Sequence, residues 1–225
     1  MNCNYPECNK VSTHIIDLGT ATRGYCNDHF EIISGKLERD QIWYTYLKRT
    51  PPRPPVKYYA ISLLQPWASL SIDGHKRIET RTRNTKFRGM LLIHASQGWG
   101  SGQRSLCLTD PFREALEGYS FRIPKNIDLP LGAIIGCVQI RAAIPSENSY
   151  GAECVIIDSR QWDFSRKEKA FGDYNPNRHL YLMSDPIKFE TPIPCKGKVM
   201  IPWEVDSETS KLVTAQLELA KRNKQ

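Results

Sequence analysis

A run of prolines divides this 225-residue chain into two parts. Residues 51–55 contain four prolines, and each proline removes a backbone donor and fixes the backbone dihedral φ. Such a segment favours a stiff, extended spacer, so we predict a domain boundary here. We assign residues 1–35 to a small module before this boundary, and residues 36–57 to a helix and the proline-rich linker. The helical periodicity itself covers residues 31–47. The linker could also bind a partner protein.

The module before the linker carries a pattern of metal ligands. Three of the seven cysteines lie in its first 26 residues, as Cys3-x4-Cys8 and, 17 residues later, Cys26-x2-His29. Three thiolates and one imidazole in two close pairs suit a tetrahedral, structural Zn²⁺ site. We therefore predict a zinc knuckle whose metal supplies its folding free energy. His14 is an alternative ligand in place of Cys3 or His29, and a set of incidental reduced thiols is the simpler reading.

The stretch over residues 59–96 predicts a strand, a short helix, a second strand, a turn and a third strand. Gly74 suits the end of the helix, where a positive φ is common. Directly after it, Lys76, Glu79 and Arg81 place an ammonium, a carboxylate and a guanidinium within six residues. The simplest readings are an ion-paired surface strand or a buried ion network that fixes the turn. A binding or catalytic site is the alternative reading.

Several sequence blocks resemble the ASCH domain (activating signal cointegrator homology). These blocks are Ser62-Leu63-Leu64-Gln65-Pro66-Trp67-Ala68, Gly74-x-Lys76-x-x-Glu79-x-Arg81, Arg88-Gly89-Met90-Leu91-Leu92-Ile93-His94-Ala95, Phe171-Gly172-Asp173, Arg178-His179-Leu180-Tyr181-Leu182 and Pro192-Ile193-Pro194-Cys195-Lys196-Gly197-Lys198 before Trp203. The resemblance implies a PUA-like β-barrel with a cleft that holds nucleic acid or a nucleobase. We therefore expect an α+β protein with flanking helices, in which the ASCH barrel covers residues 58–206 and a C-terminal helix covers residues 207–225.

Composition supports a partner of negative charge. Thirty-one Lys and Arg residues against 24 Asp and Glu give a net charge of +7, which favours polyanions. No apolar run approaches the roughly 20 residues of a membrane helix, and the N-terminus is not a signal peptide. We therefore expect no membrane partner and a cytoplasmic, intracellular location. Residues 23–30 also resemble small zinc knuckles of phage and bacterial nucleic-acid proteins.

These features favour a nucleic-acid-binding protein with a basic cleft around Lys76. A splayed-out base is read on its edges, so single-stranded RNA or DNA, or a flipped or modified base, fits better than an intact duplex. The expected binding residues supply cations for phosphate, hydrogen bonds to a base edge and an aromatic surface: Gln65, Trp67, Lys76, Glu79, Arg81, Arg88, Ser96, Lys196 and Lys198. Both a nucleic-acid strand and a free modified nucleoside match this pattern.

A hydrolase is the second hypothesis. Some ASCH proteins are amidohydrolases of acylated cytidine that use a lysine, a threonine and a glutamate, and others are ribonucleases. Lys76 matches the family lysine, and Lys76 and Glu79 would be the catalytic residues of such an enzyme, acting as an acid–base pair. Glu79, however, stands where the amidohydrolase pattern has its threonine, which removes the proposed nucleophile. A protein-interaction module is the third hypothesis, and the proline-rich linker favours it.

Overall fold

The structure, a computed structural model, describes residues 2–40, 45–48, 56–122, 126–199 and 202–223. The chain forms two compact units, Met1–Pro55 and Val56–Gln225. The predicted proline spacer at residues 51–55 lies outside the described residues. No helix in the described part of the chain is both long and apolar enough to cross a membrane.

In its described residues, the first unit contains a three-stranded antiparallel sheet and one helix. Its elements are β1 (His14–Asp17), β2 (Thr22–Tyr25), α1 (Asn27–Arg39) and β3 (Thr45–Lys48), with the strand order β2-β1-β3. The β1–β2 hairpin returns the chain to Cys26, which directly precedes α1. A small core of Cys3, Ile16, Tyr25 and Cys26 lies at this junction.

The helix predicted over residues 31–47 is wrong in both of its bounds. The observed helix begins at Asn27 and ends at Arg39. Thr45–Lys48 forms a strand that pairs with the whole of β1, because its backbone groups complete the edge of the small sheet. The module boundary predicted at residue 35 therefore falls inside α1.

The second unit contains a larger sheet with short helices around it. Its elements in chain order are β4 (Tyr59–Leu63), α2 (Trp67–Ile72), β5 (Ile78–Arg81), β6 (Gly89–Ala95), α3 (Ser101–Leu106), α4 (Phe112–Ala115), β7 (Phe121–Arg122), β8 (Asn126–Ile127), β9 (Ala133–Pro145), β10 (Cys154–Ile157), β11 (Arg160–Asp163), α5 (Arg166–Ala170), β12 (His179–Pro194), β13 (Trp203–Glu204) and α6 (Ser207–Arg222). The strand and helix order predicted for residues 59–96 is confirmed, including Gly74 with φ of +80°. Within the range predicted for the C-terminal helix, residues 207–225, the structure has α6 at Ser207–Arg222.

Six strands form the main sheet in the order β13-β4-β6-β9-β12-β5. The pair β4–β6 is parallel, and the other neighbours are antiparallel. Sheet and helices together confirm the α+β class. Among the described strands the hydrogen bonding does not close into the predicted barrel, because β13 and β5 are short edge strands that each pair with one neighbour. Register shifts along the β9–β12 pair bend the sheet instead.

Both faces of the sheet are buried. Ile61 and Ile93 point to a face covered by α2, whereas Ala60 and Leu92 point to the opposite face, where Val213 of α6 packs. This alternation is the expected pattern for strands that are covered on both sides. Polar side chains at the strand ends therefore stand out as candidates for a function.

Candidate functional site

The ends of β4 and β5 and the segment after α5 enclose a cavity of about 500 Å³, the first cavity. Four of the predicted nucleic-acid-binding residues line it: Trp67, Glu79, Arg81 and Ser96. The volume falls within the usual range for small-molecule sites. Trp67 is half-buried and packs edge-to-face on Phe112, with ring centroids 6.2 Å apart.

Lys76 is buried and is not one of the residues that line this cavity. Its side chain is 1% exposed, and Nζ lies 3.5 Å from Glu79 Oε2. Nζ also donates to the carbonyl oxygen of Ile78 and, at 2.9 Å, to that of Phe171. Two donors of the ammonium group are thus hydrogen-bonded to carbonyl oxygens, and the charge is neutralised by the Glu79 carboxylate. The geometry therefore does not support the predicted phosphate contact, and Lys76 instead joins β5 to the segment after α5.

Glu79 and Arg81 form an ion pair in the wall of the first cavity. Arg81 Nε lies 2.9 Å from Glu79 Oε1, whereas Lys76 faces the other carboxylate oxygen, Oε2. Arg81 Nη2 also donates to the carbonyl oxygen of Ser62 at 2.9 Å. The Glu79 carboxylate is therefore held in one position, and its remaining lone pairs can accept hydrogen bonds from a ligand.

Glu168 on α5 is a buried carboxylate that the sequence pattern did not reveal. Its two oxygens accept the backbone N–H groups of Arg77 and Ile78, each at 3.0 Å. Burial raises the pKa of Glu168, while the charge of Lys76 and these two donors act in the opposite direction. Glu168 thus anchors the start of β5. The basic residues around it, over residues 166–169, are typical of a solvated helix, so no local signal marks it.

A second ion pair lies in another part of the same wall. Arg178 Nη1 lies 3.0 Å from Asp173 Oδ2, and Arg178 Nη2 donates to the carbonyl oxygen of Thr80 at 3.3 Å. The backbone N–H of Asp173 donates to Thr80 Oγ1 at 3.0 Å. Both residues belong to blocks that resemble the ASCH domain, but neither was predicted as a site residue. With two cations and two anions lining it, the first cavity is balanced in charge.

A larger cavity of about 800 Å³, the second cavity, adjoins the first. Ser62, Arg81 and Ser96 line both cavities. Lys196 and Lys198, both predicted from the sequence, line the second cavity only and are exposed. Lys198 Nζ also lies 5.7 Å from the centre of the Trp203 ring.

His94 forms the buried inner wall of the second cavity and was not predicted as a site residue. Its Nδ1 lies 3.2 Å from Ser62 Oγ, and its Nε2 lies 3.1 Å from the carbonyl oxygen of Cys195. Burial lowers the pKa of His94, which favours the neutral form of the ring. A Cβ on Gly197 would lie 2.4 Å from this ring. The segment that carries the two lysines is therefore packed tightly against β6.

Besides Lys76, two predicted binding residues line neither cavity. Gln65 is fully buried, where its Nε2 donates to Ser69 Oγ and to the carbonyl oxygen of Pro130, each at 2.9 Å, and its Oε1 accepts the Ser69 N–H at 3.1 Å. The Gln65 side chain thus fixes the turn between β4 and α2 and has no group left for a base. Arg88 is exposed and donates to the carbonyl oxygen of Phe87 at 2.7 Å.

In the first unit, the four predicted metal ligands form one cluster. One ligand atom from each of Cys3, Cys8, Cys26 and His29 lies within 4.8 Å of the others, so the cluster could hold a metal ion. Cys3 and Cys8 come from the turn before β1, and Cys26 and His29 come from the start of α1. His14, the alternative ligand, stacks on Phe30 outside the cluster.

Local contacts hold these ligands in place. The Tyr5 ring stacks on the His29 ring with centroids 4.0 Å apart, and the Cys26 N–H donates to Cys3 Sγ at 3.4 Å. Burial acts to raise the pKa of Cys3, but the backbone donors of Cys26 and Tyr5 and the side chains of His29 and Cys8 lower it to about 7. The Cys3 thiol therefore loses its proton more readily than an ordinary cysteine, as a metal ligand must.

The fold and the two adjoining cavities define an α+β domain with a polar cleft at the strand ends. The model of the ASCH domain matches residues 61–192. The chain therefore belongs to the ASCH family, as the sequence blocks indicated. The cysteine–histidine cluster lies outside the matched residues.

The chain is also similar to curated relatives and to solved structures. Activating signal cointegrator 1 of mouse and of human are each 28% identical to this chain over 150 residues, which cover 67% of this chain and 22% of theirs. The chain thus spans about a fifth of the length of these curated relatives. An ASCH protein of Zymomonas mobilis is 15% identical, with a TM-score of 0.40 and coverage of 70% of this chain and 94% of that one. A point mutant of the same protein gives a TM-score of 0.40 at 15% identity, covering 71% and 98%.

Proposed function

We propose that this ASCH protein binds single-stranded nucleic acid and holds one nucleobase in the first cavity. The observation that carries the proposal is the Glu79 carboxylate, which Lys76 and Arg81 hold in the cavity wall. A fixed acceptor at a pocket wall matches the exocyclic amino and ring N–H groups on a base edge. An intact duplex presents no such edge to a pocket, so the base must be unpaired.

The rest of the first cavity suits a planar, partly polar ligand. Trp67 and Leu64 supply apolar surface against which a ring can pack, and base–aromatic stacking contributes about 1–3 kcal/mol per base. Ser96 and Thr82 add hydroxyl groups that either donate or accept. The balanced charge of the wall favours a neutral base over a phosphate group.

The geometry supports binding more than hydrolysis. A proton-transfer role for Lys76 would require a free donor or lone pair on Nζ, but Nζ already faces two carbonyl oxygens and Glu79. Glu79 in turn is paired with Arg81. Strand cleavage is therefore an outcome to be looked for in the binding experiment. The third hypothesis, a protein partner at the linker, concerns residues outside those described.

The experiment is a titration of the protein with labelled single-stranded RNA, single-stranded DNA and duplex DNA, followed by gel analysis of the strands. We expect saturable binding of a single strand that remains intact. Glu79→Gln should weaken binding about tenfold or more, because it removes a charged acceptor. Glu218→Gln, on an exposed position of α6, is the matched control.

Thermal melting of each variant separates a binding effect from a folding effect. The proposal is wrong if a folded Glu79→Gln variant binds as tightly as the wild type, or if duplex DNA binds better than every single strand. Cleaved strands that disappear in the same variant would instead support the hydrolase hypothesis.

We also propose that the cysteine–histidine cluster of the first unit holds a structural Zn²⁺ ion. Ideal tetrahedral geometry with Zn–S near 2.3 Å and Zn–N near 2.05 Å places two sulfurs about 3.8 Å apart and a sulfur and a nitrogen about 3.6 Å apart. Cys8 Sγ and Cys26 Sγ are 3.9 Å apart, and His29 Nδ1 lies 3.5 Å from Cys3 Sγ and 3.4 Å from Cys26 Sγ. The separations and the soft donors both fit zinc.

Metal analysis of the purified full chain tests this assignment. We expect one zinc per chain, a loss of zinc in Cys26→Ser and in His29→Ala, and full occupancy in His14→Ala. Cys154→Ser, which changes a thiol of the second unit, should also keep the metal. Wild-type protein without zinc, or a Cys26→Ser variant with full occupancy, would show that the cluster is not the metal site.

A further inference from the structure

We propose that the second cavity holds the nucleotide that is covalently linked to the one in the first cavity. The ligand would then be a strand of at least two nucleotides and not a free nucleoside. This inference rests on the function proposed above, because it takes the first cavity as the site of the base.

The two cavities share part of their walls. Ser62, Arg81 and Ser96 line both, and no other described residue is common to the two. Ser62 lies on β4, and Ser96 follows the neighbouring strand β6, with the Ser96 N–H donating to the carbonyl oxygen of Leu63 at 2.8 Å. A ligand that fills one cavity can therefore continue past these residues into the other.

The charge of the wall changes between the two cavities. Two ion pairs, Glu79–Arg81 and Asp173–Arg178, balance the first cavity. The second is lined by Arg81 and the two exposed lysines, and none of its described lining residues is an aspartate or a glutamate. Burial lowers the pKa of His94 and so favours its uncharged form. A neutral pocket beside a cationic one matches a base beside a phosphodiester.

Arg81 stands where the linking phosphate would lie. Its Nε lies 2.9 Å from Glu79 Oε1 but makes no hydrogen bond, and its Nη2 donates one to the carbonyl oxygen of Ser62. Among the described residues Nη1 makes no hydrogen bond either, and a quarter of the side chain, 25%, is exposed. The guanidinium group therefore keeps unused N–H donors that can bond a phosphate oxygen without breaking the ion pair with Glu79.

The size of the second cavity favours a nucleotide over an isolated phosphate. Its volume, about 800 Å³, exceeds the 500 Å³ of the first cavity. Lys196 and Lys198 lie on either side of Gly197, which packs on His94, so both ammonium groups are carried by a segment that is itself held in place. Two cations at one wall suit the phosphates on either side of one nucleotide.

The experiment compares ligands of increasing length by calorimetry. The probes are the four nucleosides, their 5′- and 3′-monophosphates, and the four homodinucleotides, each in ribose and deoxyribose form. We expect the best dinucleotide to bind about tenfold or more tightly than either matching monophosphate, because new charged hydrogen bonds form in the second cavity. The two sugar series distinguish RNA from DNA as the source of the strand.

The double variant Lys196→Ala/Lys198→Ala tests the site itself. It should abolish the gain from monophosphate to dinucleotide while leaving nucleoside binding unchanged. With a single-stranded oligonucleotide, the slope of log affinity against log salt should fall by about 1.4, or 0.7 per lost contact. Lys211→Ala, on an exposed position of α6, is the matched control and should change neither quantity.

The outcomes separate this inference from the proposed function. If a monophosphate binds as tightly as the dinucleotide, or if the double variant keeps the full gain, the second cavity does not hold a linked nucleotide, although base binding in the first cavity stands. If no nucleoside, nucleotide or oligonucleotide binds at all, the proposed function itself fails.

Discussion

Replacing Lys76 with methionine separates a structural role of this residue from contact with the ligand. The side chain is 1% exposed, and its ammonium group bridges β5 to the segment after α5 through Ile78, Phe171 and Glu79. Methionine fills a similar volume but cannot donate. The variant therefore leaves two carbonyl oxygens without their donor and the Glu79 carboxylate without one of its two cations.

The size of the effect follows from this burial. Removing one partner of a buried ion pair costs about 3–5 kcal/mol, because the other charge stays buried without compensation. Arg81 remains beside Glu79, which favours the lower end of that range. For a unit of this size, about 3 kcal/mol corresponds to a fall of roughly 6 °C or more in melting temperature. An exposed lysine such as Lys196 should lose less than about 0.5 kcal/mol on the same substitution.

Urea unfolding followed by tryptophan fluorescence measures this difference, since Trp67, Trp99, Trp162 and Trp203 all belong to the second unit. The double variant Lys76→Met/Glu79→Gln should recover part of the loss, with a coupling energy of about 1–3 kcal/mol. A Lys76→Met protein as stable as the wild type but deficient in binding would refute this reasoning. Lys76 would then contact the ligand, as the sequence pattern predicted.

Three further predictions concern other parts of the molecule. Gly197→Ala should lower the unfolding free energy by about 1–3 kcal/mol, seen as a lower melting temperature, and disturb the second cavity, because the added Cβ would lie 2.4 Å from His94. The control Gly102→Ala adds a Cβ that meets no atom within 4 Å and should have no such effect. Chelation of the metal should remove the amide chemical-shift dispersion of residues 2–40 in an NMR spectrum while preserving that of the second unit, and an unchanged spectrum would contradict the metal's structural role. Burial raises the pKa of Glu168 above its ordinary 4.5, so the contribution of this carboxyl group to stability is full below pH 4.5 and is lost as the pH rises through the raised pKa. The unfolding free energy of the wild type minus that of Glu168→Gln should therefore decrease from about pH 4 to pH 7. A difference that does not change with pH would be inconsistent with this shift.

Local patterns allowed the first part of the domain to be predicted. The alternation of apolar residues and the position of Gly74 predicted β4, α2, β5 and β6 in order, because each signal acts within a few residues of itself. Likewise, the two short ligand pairs predicted the cysteine–histidine cluster that the structure brings together. The helix beside that cluster was placed wrongly, since the pairing of Thr45–Lys48 with β1 depends on residues about 30 positions away.

The environment of each charged side chain could not be predicted in the same way. Lys76 meets the carbonyl oxygen of Phe171, 95 residues further along the chain, and the Arg77 N–H meets Glu168, 91 residues further along. A lysine two residues after a glycine has the same local pattern whether it lies on a surface or inside. Whether Lys76 is buried depends on the packing of α5 and the start of β12 beside β5. Arg178 was missed for the same reason, because its partners come from distant parts of the sequence.

The cations of the second unit differ in burial, and this difference suggests how affinity and selectivity are divided. Lys76 is fully buried and neutralised by its partners, Arg81 is partly exposed and paired with Glu79, and Lys196 and Lys198 are exposed and line a cavity without described acidic residues. Salt screens exposed charges far more than buried ones. If the chain binds a nucleic-acid strand as proposed, the binding energy from the two exposed lysines should therefore fall with ionic strength, whereas discrimination between bases, which we assign to the fixed Glu79 carboxylate, should change little. A cleft built in this way would bind many strands at low salt and distinguish among them only through the base in the first cavity.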